Sequence, residues 1–162
     1  MHSLDILCEN LNRMSQKNGL NNYKELADYI GVKEGTLKCW ENKSRSPSLK
    51  QIDNICDRMN IQSYVMIQSD SNLEIQVEVQ KNDSRKYMLE NLQRYFLKYG
   101  RFTWNDKAAL FYDFISEDVL KSYFRTDNYK TPPLKKMDEI AEALGVPTYM
   151  LIKEDGLSEK TD

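Results

Sequence analysis

An internal repeat constrains the fold of this 162-residue chain more than any other feature of its sequence. An advance of 85 positions, from Leu4 to Leu89 for example, brings apolar and acidic residues onto like residues, and a proline precedes the same block in both copies (Pro47 and Pro132). The first-copy positions are Leu4, Leu7, Leu11, Leu49, Asp53, Ile55, Met59, Ile61, Tyr64, Ile67 and Asp70; their partners are Leu89, Leu92, Phe96, Leu134, Asp138, Ile140, Leu144, Val146, Tyr149, Ile152 and Asp155. Self-similarity in one register predicts two copies of one structural module.

The first copy has the hydrophobic spacing of short amphipathic helices. This spacing predicts helices over 4–17, 23–30, 33–42 and 49–59, with a short fifth helix over 64–67. Asn21 or Asn22 and Ser48 have side chains that cap helix N-termini. The predicted fold class is therefore all-α, with two tandem domains, each of four or five short helices around one core.

The stretch from Leu26 to Trp40 has the pattern of two helices that meet at a tight turn. Ala27 is small enough for a close helix crossing, and Gly31 can adopt the left-handed backbone conformation that a sharp reversal needs. The apolar residues of this stretch are predicted to face the core. The remaining side chains of the second helix are short or polar, a surface suited to the DNA major groove.

The run from Tyr23 to Pro47, with Glu-Leu-Ala, Ile-Gly-Val, Thr-Leu and Trp-Glu-Asn, resembles the Cro/C1-type, or Xre-family, helix-turn-helix of phage repressors and bacterial regulators. The resemblance implies a lambda-repressor-like domain that binds double-stranded operator DNA, usually as a dimer. It implies DNA contacts at Tyr23, Lys33, Glu34, Thr36, Lys38, Cys39, Asn42, Lys43 and Arg45. The alternative is that these cations form the solvated face of a helix that only packs.

Between the copies, the segment from Leu73 to Gln80 alternates apolar and polar residues, with β-branched side chains at Ile75, Val77 and Val79. Such alternation predicts a strand with one wet face, and no second run in the chain offers it a partner. Pairing with the same strand of a second molecule would satisfy its edges, which predicts a homodimer interface at Ile75, Val77 and Val79. An extended linker is the alternative.

The second copy departs from the first in its outward helix, the one that corresponds to the helix predicted over 33–42. Alignment of Leu120–Tyr123 with Leu37–Trp40 places Glu117 and Asp118 at the start of that helix, where carboxylates repel phosphates. The same alignment puts Leu110, Asp113 and Phe114 at the positions of Ala27, Ile30 and Gly31. We therefore expect a retained fold with lost or altered base reading. The aromatic residues expected to be exposed, and so to serve a protein partner, are Trp104, Tyr123, Phe124 and Tyr129.

These patterns predict four segments: a first domain over 1–70, a linker over 71–84, a degenerate second domain over 85–155 and a flexible tail over 156–162. The sequence has no apolar run of membrane-spanning length and no signal-peptide pattern, so the expected location is the cytoplasm, without membrane attachment. The three widely spaced cysteines suit reduced thiols.

The sequence offers little support for catalysis, because the only histidine is His2 and no glycine-rich phosphate loop is present. We expect no enzymatic activity, no metal and no cofactor. The predicted function is a sequence-specific DNA-binding transcriptional regulator, a repressor of phage or bacterial type. The alternative is a protein-binding inhibitor on a helix-turn-helix scaffold, for example an anti-CRISPR protein that also represses its own promoter.

Overall fold

The computed structural model of the chain describes residues 2–69, 72–73, 81–111 and 114–158. Within these ranges the chain forms helices joined by turns and loops, with no strand, which confirms the all-α class. The helices are α1 (Ser3–Lys17), α2 (Tyr23–Ile30), α3 (Glu34–Glu41), α4 (Leu49–Met59), α5 (Ser63–Met66), α6 (Ser84–Lys98), α7 (Trp104–Ala109), α8 (Glu117–Tyr123), α9 (Leu134–Leu144) and α10 (Tyr149–Ile152).

The helices of the first half begin and end at the predicted signals, to within a residue or two. The side chain of Asn22 caps α2 by accepting from the amide of Glu25 at 2.9 Å. Ser48 and Gln51 form a reciprocal capping box at the start of α4. Helix α2 ends at Gly31 with φ of 78°, the left-handed conformation that the turn was predicted to require.

Of the apolar residues between Leu26 and Trp40 predicted to face the core, Val32 is half-buried and the others are buried. Leu26, Ile30, Leu37 and Trp40 are each 3% exposed or less. Buried apolar side chains from both halves of the chain belong to one connected cluster of the described residues. The two halves therefore exclude water from each other as well as from their own interiors.

Equivalent hydrogen bonds correct the register of the repeat in its first helix. The Asn10 Nδ2 donates to the carbonyl of Met66 at 2.9 Å, and the Asn91 Nδ2 donates to the carbonyl of Leu151 at 2.9 Å. Asn10 and Asn91 are 81 positions apart, whereas the two carbonyls keep the predicted spacing of 85. The predicted match of Leu7 with Leu92 is therefore wrong, because Leu7 corresponds to Met88.

The register changes in two steps along the second half. The caps Asn22 and Thr103 are 81 positions apart, the buried Leu37 and Leu120 are 83 apart, and the fourth helices keep 85. The second half thus gains two residues before α8 and two after it. In consequence Ala108 and Phe111, rather than Leu110 and Asp113, take the positions of Ala27 and Ile30. Both are buried, so the second half keeps a small residue at the helix crossing, and the predicted alignment of Leu110 with Ala27 is wrong. Asp113 itself lies outside the described residues.

Reciprocal contacts join the two halves through the starts of their first helices. In one direction Ser3 donates its amide and hydroxyl to the Asp138 carboxylate, with N···O and O···O distances of 3.1 and 2.5 Å. In the other direction Ser84 makes the same pair of bonds to Asp53, at 2.9 and 2.5 Å. Two serines and two aspartates with the same roles relate the halves by an approximate two-fold axis.

Several predictions fall on residues that the structure leaves undescribed. Ile75, Val77 and Val79, with the predicted strand and homodimer contact, lie outside the described residues. Of the predicted strand only Leu73 is described, and it is buried. The domain boundaries stay a prediction.

At the predicted tail, Gly156 is buried and the Leu157 amide donates to the Asn91 Oδ1 at 3.1 Å. The first residues of the tail therefore pack against α6. No helix among the described residues has the length and apolarity to cross a membrane.

Candidate nucleic-acid interface

Helix α3 is held by its buried side and by the turn that precedes it. Leu37 and Trp40 anchor it in the core. The guanidinium of Arg58 braces that turn, donating to the carbonyl of Tyr29 at 2.9 Å. Glycine is needed at position 31 for its φ of 78°, while a Cβ atom there would lie 3.2 Å from an Arg58 nitrogen and would require only a small shift of that side chain. The opposite face of α3 is left to solvent.

The structure brings the predicted DNA-binding residues to α3, its two flanks and the start of α2. Seven of the nine are exposed: Tyr23, Lys33, Glu34, Lys38, Asn42, Lys43 and Arg45. Thr36 and Cys39 are half-buried, at the edge of the same face. The face therefore combines four cations with groups that can hydrogen-bond to base edges.

Lys38 is paired with Glu34 one turn earlier, with an N···O distance of 3.2 Å. The Lys38 side chain is 57% exposed and the Glu34 side chain is 44% exposed. An exposed pair of this kind is worth less than about 1 kcal/mol in water. Lys38 is therefore held in position over α3 and still free to exchange Glu34 for a stronger acceptor.

Lys43 follows α3 and forms an ion pair with Asp5 of α1, at 2.8 Å. The hydrogen bond from Lys43 lowers the pKa of the Asp5 carboxyl, and Asp5 raises the pKa of the lysine in return. Lys43 has a positive φ of 61°, an uncommon conformation for a residue with a side chain. The pair ties the loop after α3 to the start of α1, and its carboxylate competes with any phosphate that approaches Lys43.

Tyr23 lies at the start of α2, beside Glu41 of α3. Desolvation raises the pKa of its phenol, and the Glu41 carboxylate raises it further. The phenol donates its one O–H to the Glu41 carboxylate, so a phosphate oxygen has to displace Glu41 to accept from it.

The outward face of α8 repeats one feature of α3 and changes another. Glu117 and Lys121 form the same pair, at 3.0 Å, as Glu34 and Lys38. Asp118 is exposed at the position that Gly35 occupies in α3. Ser116 caps the helix by accepting from the Val119 amide at 3.2 Å. The second face thus has one additional carboxylate, in a first turn where acids favour the helix dipole.

Arg85, which the sequence patterns did not single out, anchors the end of α8. One of its guanidinium nitrogens donates to the carbonyls of Tyr123 and Arg125, at 2.7 and 2.6 Å. The same guanidinium stacks 3.6 Å from the ring centroid of Tyr129. These partners are distant in sequence from Arg85, so spacing along the chain has no signal for them.

The aromatic residues predicted to be exposed on the second copy are mostly packed. Tyr123 is 3% exposed and belongs to the core. Trp104 and Phe124 are half-buried and pack edge to face, with centroids 5.5 Å apart. Only Tyr129 of the four is exposed. The predicted exposure is therefore wrong for Tyr123, and an interface at the other three residues stays a prediction.

Three other apolar side chains are exposed near the turn between α6 and α7. Leu97 and Phe102 are 67% and 69% exposed, and Tyr99 lies between them in sequence and is also exposed. The equivalent residues of the first half, 81 positions earlier, are all polar: Gln16, Asn18 and Asn21. The equivalence follows from the spacing of 81 in the first helices and not from the spacing of 85. We refer to Leu97, Tyr99 and Phe102 as the α6–α7 apolar cluster.

The three cysteines are free; Cys8 and Cys39 are half-buried and Cys56 is buried. Burial raises the pKa of the Cys8 thiol to about 11 and that of Cys56 higher still. Cys39 is half-buried on the outward face of α3. Thiol reagents that attack the thiolate should therefore distinguish Cys39 from the other two.

No family model, curated protein or solved structure matches this chain. Within the described ranges, no three histidine, cysteine or carboxylate side chains come together in a way that would hold a metal ion.

Proposed function

We propose that this protein is a sequence-specific DNA-binding transcriptional regulator, a repressor of phage or bacterial type. It consists of two tandem lambda-repressor-like helix-turn-helix domains, works in the cytoplasm and needs no cofactor. The observation that supports the proposal best is the α3 face. There, exposed cations surround groups that can read bases, on a helix held rigidly by Leu37, Trp40 and the Gly31 turn.

The side chains of this face have different roles in the proposed complex. Lys38 and Thr36 contact base edges, while Lys43 and Arg45 neutralise phosphates and position the helix. Glu34 accepts a hydrogen bond from cytosine and repels phosphate, so it selects sequence at the expense of affinity. Because Lys43 is paired with Asp5, binding exchanges one carboxylate for a phosphate oxygen at this lysine.

Operator binding is expected to slow the alkylation of Cys39 at least several-fold. Cys39 lies on the face that DNA covers in this proposal, whereas Cys56 is buried and burial raises the pKa of the half-buried Cys8 thiol. The measurement is the rate of maleimide labelling, followed by mass spectrometry, with and without a duplex selected from random sequence. Ser69→Cys adds an exposed thiol away from the face, and its labelling should not change. Equal Cys39 rates with and without bound duplex would remove α3 from the interface.

The α6–α7 apolar cluster favours a second candidate function, the protein-binding inhibitor. Three apolar side chains within six residues are exposed where the first half has polar ones, and contiguous exposed apolar patches are typical of protein interaction sites. The changes Leu97→Gln, Tyr99→Asn and Phe102→Asn convert the cluster to the first-half residues with little effect on the core. Loss of a protein partner with intact DNA binding would assign the cluster to that second function.

The state of assembly is a separate proposal with two forms. A homodimer through Ile75, Val77 and Val79 is one form, and a single chain with two binding units is the other. If the strand forms the contact, Ile75→Lys with Val77→Lys should shift the mass in light scattering from dimer to monomer. If the unmodified protein is already a monomer at the same concentration, the homodimer proposal fails.

A further inference from the structure

We propose that one chain acts as both subunits of a DNA-binding dimer, with α3 and α8 contacting two unlike half-sites of a single asymmetric operator. The inference rests on the proposed function and adds to it the form of the target. The chain then binds as a monomer, and its operator is not a palindrome.

The contacts between the halves are those of a two-fold dimer. Besides the reciprocal bonds of Ser3 to Asp138 and Ser84 to Asp53, each aspartate accepts from a hydroxyl of its own half. These donors are Thr148 at 2.8 Å and Ser63 at 2.7 Å. The rings of Tyr64 and Tyr149, which are equivalent residues, lie 6.4 Å apart across the axis. A residue that contacts its own equivalent marks an isologous interface, here formed within one chain.

This interface also fixes the position of each outward helix. Helix α1 begins at Ser3, which is bonded to the second half, and two residues later Asp5 binds Lys43 at the end of α3. Helix α6 begins at Ser84, which is bonded to the first half. The next residue, Arg85, holds the end of α8. Each outward helix is therefore braced by a helix whose first residue is bonded to the opposite half.

An approximate two-fold axis carries α3 onto α8, and in the proposed complex both helices meet one side of a duplex. B-DNA has two-fold symmetry perpendicular to its own axis. Helix-turn-helix dimers accordingly contact half-sites about one helical turn apart, roughly 34 Å. In an ordinary homodimer the two half-sites are alike because the subunits are identical. Here the subunits are different segments of one chain.

The two outward faces would prefer different bases. At equivalent positions Gly35 is replaced by Asp118 and Thr36 by Val119, whereas the Glu and Lys of the ion pair are kept. Valine lacks the hydroxyl of threonine and can only make apolar contact, for instance with the thymine methyl group. Asp118 accepts from cytosine and repels phosphate. The α8 half-site is therefore different in sequence and weaker.

Selection of duplexes from a random pool with the full-length protein tests this inference. The expected result is two unlike half-sites with centres about 10 base pairs apart. The complex should contain one chain per duplex by analytical ultracentrifugation. A duplex in which the α3 half-site is duplicated as a palindrome should bind one chain more weakly than the selected operator.

Lysine variants tested on duplexes with one randomised half-site then assign each half-site to its helix. With Lys121→Ala, randomising the second half-site should cost little further affinity, whereas randomising the first should still cost about tenfold or more. Lys38→Ala should show the opposite pattern. A palindrome bound by two chains, or full affinity for a duplex with one half-site, would overturn the inference while leaving DNA binding intact. Failure of every duplex to bind would instead refute the proposed function.

Discussion

Lys38→Ala is expected to lower affinity for the selected operator by about 1 to 3 kcal/mol, the value of a good base contact, and to reduce discrimination against altered sites. Lys38 is exposed over the outward face of α3 and is held there by Glu34 at 3.2 Å. Its removal also leaves Glu34 without its cation, close to the phosphates. Fluorescence anisotropy on operator and scrambled duplexes, at several salt concentrations, measures both effects.

Lys43→Ala is the matched comparison, because this cation is expected to contact only phosphate. It should weaken all duplexes alike and reduce the slope of log affinity against log salt by about one unit. Lys121→Ala with Arg125→Ala should cost less than Lys38→Ala, since Asp118 disfavours phosphate on the second face. Replacing the α6–α7 apolar cluster by its polar equivalents should leave DNA affinity and its salt dependence unchanged. If the second-face pair costs more than Lys38, then α3 is not the principal reading helix.

Asp53→Ala and Asp138→Ala are expected to destabilise the fold by similar amounts, each about 1 to 3 kcal/mol. Each change removes the acceptor of a buried serine at the start of the opposite half's first helix. Desolvation raises the pKa of the Asp53 carboxyl even though Ser84 and Ser63 donate to it. In Asp53→Ala, part of the free energy lost with these hydrogen bonds is therefore offset, because the carboxylate no longer has to be desolvated.

Urea unfolding followed by circular dichroism measures this loss. Asp28→Ala is the control, because Asp28 is exposed on α2 and the substitution should stay within about 0.5 kcal/mol of the unmodified protein. Destabilisation by only one of the two interface changes would mean that the reciprocal contacts are not equivalent. Unchanged stability in both would show that the halves are held together by apolar burial alone.

The helices and caps of the first half could be predicted because their signals are local. Asn22, Gly31 and Ser48 lie within four residues of the groups that they satisfy. The buried positions of α2 and α3 follow from helical periodicity. The candidate DNA-binding face follows from the same periodicity, since the side opposite Leu37 and Trp40 has to be exposed.

The register of the second half could not be recovered in the same way. One spacing of 85 fits the fourth helices, and a chance match of leucines extended it to the first, where the spacing is 81. Leucines are common on every amphipathic helix and discriminate poorly between registers. Asn10 and Asn91 discriminate well, but only after the structure shows that both donate to carbonyls after the fourth helix. The exposed placement of Tyr123 was a separate error, because the alignment of Leu120–Tyr123 with Leu37–Trp40 already pairs it with the core residue Trp40.

By itself the sequence determined an all-α chain built from two related sets of short helices, with one outward helix rich in cations. Those properties depend on periodicity and capping, which act over one or two turns. Only the tertiary structure decided how the halves meet, through Ser3 with Asp138 and Ser84 with Asp53. These partners are 135 and 31 residues apart, and serine and aspartate are also common on solvated surfaces. Their pairing depends on apolar burial that brings two distant helix ends together, and no local pattern specifies it.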